Sequence, residues 1–454
     1  MPPAAIRAAL ERALAAEDRD ALWAALAPVQ DQLTEDRDVA RVWAEALRTS
    51  PARRSLVEEA DRILTSWPGD PGIVGSAADA LVRAAERRPV DEPPLAEGPA
   101  SIAASALGRC LGRLSPPERG DPEVGGRLTA ARGNALSLLG PLRYADAVEA
   151  LEAAIALDPE QGDWHFDLGL VHKRQRAFDR ALEATRRARQ LQGDRKPVLW
   201  NLAIAATGAG DGAAAEEAWR ALGLAATAAP DRLPFVEGLD PVEVRVATLG
   251  PGHGGAAWVP EEAAGFELVG VQPLSPCHGV VRTPTFRDAR TDFGDVILWD
   301  PRPIGVRRDG DRPVPRFPLL AVLKAGDERR YRFLALQQQP GEVDALGREL
   351  PEGVVLYRHG ERVERVCPRC AAGEVLVRHE HLPPEDHRIA FGKLLVPGDQ
   401  DLGQVARRLE EARRRYPGVL LAIPGLYEAL GRTQDAGTHH TRWGTIERTA
   451  LRVG

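Results

Sequence analysis

Residues 128–161 read LTAARGNALSLLGPLRYADAVEALEAAIALDPEQ, residues 162–195 read GDWHFDLGLVHKRQRAFDRALEATRRARQLQGDR, and residues 196–229 read KPVLWNLAIAATGAGDGAAAEEAWRALGLAATAA. Written one beneath another, they align small residues. Ala135, Gly169 and Ala203 stand 34 apart, as do Ala147, Ala181 and Ala215, with Ala154 and Ala188 in a third column and Leu168 above Leu202. Each window holds two stretches with apolar residues at helical spacing, parted by a polar or glycine-containing turn, so each reads as one helical hairpin. A fixed period means that each hairpin repeats the packing of the one before and buries its apolar face on its neighbours.

A 34-residue period with small residues at two helix-crossing positions resembles the tetratricopeptide repeat (TPR). The aromatics fit the resemblance. Tyr144 and Phe178 open the second helices, Trp219 stands where the family favours a bulky ring, and Pro159 closes the first repeat. Leu168-Gly169 and Tyr144-Ala-Asp-Ala147 are the strings most similar to the family, while Gly212 and Leu222 in the third window depart from it, as a terminal unit does. The resemblance implies a protein-binding groove lined by the first helix of each repeat. Its positions fall on Arg132, Phe166, Leu170, Lys173, Arg174, Trp200 and Ile204. Aromatics beside cations suit an extended peptide of acidic character, although Phe166 and Trp200 also fit as packing against the next helix. The family's clamp for chaperone C-termini is not reproduced, because Asp167 and Pro197 stand where an amide and a lysine are needed.

Outward from this segment the chain changes twice. Residues 1–125 are rich in Ala, Leu, Arg and Glu at helical spacing, broken by Trp67-Pro-Gly-Asp-Pro71 and Ser115-Pro-Pro117, but carry no clean 34-residue register. They read as divergent TPR-like or other α-solenoid helices, with a long loop over 88–100. Near Pro230 alanine thins out, β-branched runs appear and Gly/Pro/Asp turns recur. Val242–Leu249, Phe266–Val271, Val296–Trp299, Leu319–Leu323 and Tyr331–Leu336 read as strands, and Val354–Tyr357 with Arg362–Val366 as a hairpin across His359-Gly360. From Gln400 the helical pattern returns, and Tyr427–Ala436 has the texture of a turn between repeat helices. The expected architecture is therefore multidomain, α then α+β. An N-terminal α-solenoid of TPR-like hairpins (divergent over 1–125, regular over 126–230) precedes a β-rich domain (231–398) and a C-terminal helical hairpin (399–454).

Composition bounds the function. The 454 residues carry 59 Lys+Arg against 66 Asp+Glu, a net charge of −7, with 44% hydrophobic and 28% charged residues. A globular composition of this sign gives no electrostatic footprint for nucleic acid or an anionic membrane. Lysine occurs only at Lys173, Lys196, Lys324 and Lys393, none in a recognisable motif, which disfavours lysine catalysis. Asparagine occurs only at Asn134 and Asn201; with abundant Ala, Gly, Pro and Arg, this suggests a GC-rich bacterial source. No apolar run reaches membrane-spanning length and the start lacks a secretory signal pattern, so the expected location is the cytoplasm.

Chemistry concentrates in the second half, which holds Cys277, Cys367 and Cys370 and eight of the ten histidines. Cys367-Pro-Arg-Cys370 is the sharpest motif: two thiolates at this spacing on a tight turn can share one Zn²⁺. It resembles half of a zinc ribbon. No second CxxC follows, but His379 and His381 would point to the same side of a strand and complete a Cys₂His₂ set, with Cys277 or His278 as a distant alternative. A redox dithiol is the competing reading, although that chemistry favours a helix N-terminus and the sequence after Cys370 reads as strand. Cys277-His278 suggests a nucleophile and base, but adjacency does not bring the two side chains together. His253, in Gly250-Pro-Gly-His-Gly-Gly255, lies in a glycine-rich turn lacking the Lys-Ser/Thr of a P-loop. Asp292-Phe-Gly-Asp295 matches a kinase metal-binding string without its partner motifs. The leading expectation is a non-enzymatic adaptor with a peptide-binding groove and a structural zinc. The alternatives are an enzyme with a Cys/His or metal site in the C-terminal half, and a zinc-ribbon nucleic-acid binder.

Overall fold

The computed structural model describes residues 34–49, 56–86, 98–227, 233–248, 266–285, 289–309, 312–359 and 388–451, with the single positions 24 and 30. The chain divides into two compact units, 1–237 and 238–454.

The first unit begins with α1 (Arg37–Thr49), α2 (Leu56–Ser66), α3 (Pro71–Glu86) and α4 (Pro99–Arg113). A short helix α5 (Pro116–Gly120), closed by a Ser115/Glu118 capping box, and a π turn (Pro122–Gly126) capped by Asp121 lead on. Three hairpins follow at the expected period: α6 (Arg127–Ser137) with α7 (Tyr144–Leu157), α8 (Gly162–Arg174) with α9 (Phe178–Gln192), and α10 (Lys196–Ala209) with α11 (Gly212–Ala221). Every small residue of the three columns is buried. Gly210, at φ +77°, ends α10, and the Asp211 carboxylate caps α11 by accepting the Ala214 N–H.

One apolar core runs from Val39 to Val171, so packing does not break at the boundary expected near residue 125. The loop expected over 88–100 falls mostly on 87–97, outside the described residues. After α11, β1 (Ala226–Thr227) pairs with β2 (Phe235–Val236).

In the second unit, β3 (Val242–Ala247), β4 (Phe266–Ser275), β5 (His278–Val281) and β6 (Val296–Trp299) form an antiparallel meander. β7 (Gly305–Asp309) continues the pairing of β6 along the long strand β8 (Arg312–Lys324). β8 also pairs in parallel with β3, Val244 opposite Phe317, and this closes the sheet into a barrel. Alternation sends Val242, Val244, Val246, Val269, Val271, Val281, Ile297, Trp299 and Phe317 inward, where the Trp299 and Phe317 rings stack at 6.2 Å.

A second, four-stranded antiparallel sheet runs β10–β11–β9–β12, built from β9 (Arg329–Leu336), β10 (Val355–Arg358), β11 (Ile389–Val396) and β12 (Leu420–Ala422). It shares one core with α12 (Glu342–Gly347), α13 (Leu402–Arg415), α14 (Pro424–Ala429) and the start of α15 (Thr433–Leu451). Residues 399–454 therefore do not stand apart as a helical hairpin. β12, which the sequence reading missed, lies between α13 and α14 and joins them to the sheet.

Candidate functional site

The helices α6, α8 and α10 lie side by side, and polar links between them fix their register. Asn134 Nδ2 donates to Asp167 Oδ2 at 2.6 Å, Arg174 Nη1 to Ser137 Oγ at 2.6 Å, and Lys173 Nζ to Asn201 Oδ1 at 2.8 Å. Both asparagines of the chain are thus spent on this one face. Burial pushes the Asp167 carboxyl up to about 7, with Asp163 and Glu86 adding to the rise while the Asn134 amide and Arg174 oppose it.

Of the positions that the resemblance implies, Arg132, Phe166, Leu170, Arg174 and Trp200 are partly exposed, whereas Lys173 and Ile204 are 3% and 2% exposed. Trp200 packs edge-on against the buried Trp219 of α11, ring centroids 4.9 Å apart. Trp200 therefore contributes to the packing of the hairpin while remaining partly exposed. Sequence reasoning named the apolar and cationic members but missed Asn134, Ser137, Asp167 and Asn201 as the links between helices. A signal existed: Asp167 and Asn201 are also 34 apart.

In the second unit, Cys367, Cys370, His379 and His381 lie outside the described residues, as does the strand expected at Arg362–Val366. Among the described residues no group of three His, Cys, Asp or Glu side chains gathers to hold a metal. Cys277 and His278 are fully buried; the Ser275 hydroxyl lies 2.6 Å from His278 Nδ1 and 3.6 Å from Cys277 Sγ. Burial lowers the His278 pKa to about 4, so its imidazole is neutral at physiological pH.

Asp292-Phe-Gly-Asp295 forms a tight turn with Gly294 at φ +86°. Asp292 accepts the N–H groups of Thr285 and Phe293 and pairs with the buried Lys393 of β11. Asp295 accepts the N–H of Asp292 and of Gly326 and pairs with Arg330 of β9 at 2.9 Å. Both carboxylates are committed to binding the barrel to the second sheet.

No family model and no curated protein matches the chain. Among solved structures, similarity is found to PilF of Pseudomonas aeruginosa (15% identity, 48% of this chain and 89% of that one, TM-score 0.36). It extends to YrrB, described as a TPR protein with an unusual peptide-binding site (14% identity, 43% of this chain and 89% of that one, TM-score 0.29). Similarity is also found to MamA (17% identity, 37% of this chain and 77% of that one, TM-score 0.27).

Proposed function

We propose that the face of α6, α8 and α10 is a docking groove for an extended, acidic peptide segment of a protein partner, and that the chain acts as a non-enzymatic adaptor. The observation that supports this most is the set of cross-helix links, which hold three helices in register while Arg132, Phe166, Leu170 and Trp200 stay partly open to solvent. A prearranged face of this kind lowers the ordering cost of binding. Charge reversal must spare the packing residues, since Lys173 is buried and Trp200 supports Trp219. The test is Arg132→Glu with Phe166→Ala, compared with wild type for the proteins each captures from the native organism. Partners held by wild type and lost by a variant with unchanged helical circular dichroism and melting temperature support the groove. Equal capture by both rejects it.

For the second unit we propose a structural zinc on Cys367 and Cys370 with His379 and His381, Cys277 being the alternative ligand. The support is the ligand spacing alone.

A further inference from the structure

The barrel strands all come from 242–324, and the strands and helices of the second sheet all come from 329–451. The chain therefore passes between these two bodies once, through Ala325-Gly-Asp-Glu328. Each body has its own apolar core. Among the described residues no barrel strand packs along a strand or helix of the second sheet. The ion pairs that cross between them both start from the turn Asp292-Phe-Gly-Asp295.

One set of contacts lies at the crossing itself. Gly326 donates its N–H to Asp295 Oδ1 at 2.8 Å, and Arg330 Nη2 donates to the Phe293 carbonyl at 2.6 Å and to Asp295 Oδ1 at 2.9 Å. A Cβ on Gly326 would lie 2.8 Å from the Gly294 carbonyl carbon, so the crossing backbone rests directly on the turn. The other contact comes from far along the chain, on β11. The Lys393 ammonium donates to Thr285 Oγ1 at 2.8 Å and pairs with Asp292, and Thr285, Asp292 and Lys393 are 0%, 4% and 3% exposed. Burying both charges costs hydration that is returned when the pair opens to water, whereas a parted apolar core recovers none. Such a pair closes a joint without making it as firm as a core.

We infer that residues 325–328 are a hinge and that Lys393, with Asp292 and Thr285, is a latch that holds the barrel against the second sheet. When the latch opens, the barrel swings as a body about the crossing, and neither core is broken. The contacts of Asp295 with Gly326 and Arg330 lie at the pivot and persist in the open form. Opening presents Lys393 to water on the sheet and Asp292 on the barrel. The fraction of molecules that are open is set by the strength of the latch, so a change at Lys393 shifts that fraction.

The experiment uses the full chain with nitroxide labels carried on p-acetylphenylalanine at Val306 of β7 and Val355 of β10, which are 58% and 46% exposed. Double electron–electron resonance reads the distance between barrel and sheet. Wild type should give one narrow distance. Lys393→Met should add a longer-distance population, the open share rising about ten-fold or more, the loss expected for a hydrogen bond to a charged group. It also strands the Asp292 charge in the closed joint, so Lys393→Met with Asp292→Asn should open less than Lys393→Met alone. Circular dichroism should match wild type in both. Arg358→Gln, which breaks a pair with Asp344 inside the sheet body, should keep the narrow distance. A distance unchanged in Lys393→Met overturns the latch. So does loss of the folded circular dichroism in both Lys393 variants, which would make the contact part of a single core.

Discussion

At the scale of single residues, Asp167 is the sharpest case. Its folded pKa of about 7 stands above the ordinary carboxyl value of 3.8, so the folded state holds the proton more tightly than the unfolded chain does. The ionised form therefore weakens the fold. That penalty is absent below pH 4, grows as pH rises toward 7 and is constant above it. Asp167→Asn keeps an oxygen to accept from Asn134 and removes the charge. Its melting temperature should match wild type near pH 4 and exceed it increasingly up to pH 7, by a few kcal/mol of stability at most. Thermal melts at four or five pH values check this, and an advantage confined to acid pH would reverse the sign. None of this was legible in the sequence, because the pKa follows from burial against α6 and from the distant Glu86. Small residues at a fixed period can be read by eye, but a carboxylate's surroundings cannot.

At the scale of elements, the aromatic that opens α9 shows how the hairpins fit. A Cβ placed on Gly208 of α10 would lie 2.4 Å from Cδ1 and Cγ of the Phe178 ring. The ring fills the room that glycine leaves, closing the joint between successive hairpins. Gly208→Ala gains about 1 kcal/mol of helix propensity, but displacing a packed ring costs about 1–3 kcal/mol. Net destabilisation is expected, and Gly208→Ala with Phe178→Leu should recover part of it; denaturant melts of the three proteins decide. The hairpins were legible because their period, small columns and opening aromatics repeat. The strands were read less completely. Val296–Trp299 agrees with the sequence reading, but β8 extends N-terminal to the expected Leu319–Leu323 through Pro313, Pro315 and Pro318, residues that argue against a strand interior. They are tolerated because β8 pairs with different partners along its length: β7, β3 and β6. β12 escaped notice because three residues between two helices carry no periodic signal.

At the scale of the whole molecule, the two units suggest a division of the chain at 237–238, where each part keeps its own cores. Fragments 1–237 and 238–454 should each unfold in a cooperative transition of their own. If the proposed zinc is present, 238–454 should carry about one zinc per chain, lose it in Cys367→Ser, and melt lower with chelator. Fragment 1–237 should be indifferent to chelator. Elemental analysis and calorimetry of both fragments read this out, and a metal-free 238–454 purified without chelator would sink the zinc. The barrel's single parallel seam has a further consequence for how the chain reaches its fold. Glu243 of β3 meets Arg316 of β8 across 73 residues of sequence, whereas the other barrel pairings join strands closer in the chain. Closing so long a loop comes late and slowly. During synthesis the outer edge of β3 is without its seam partner until β8 has emerged, and an unpaired strand edge is a template for association with other chains.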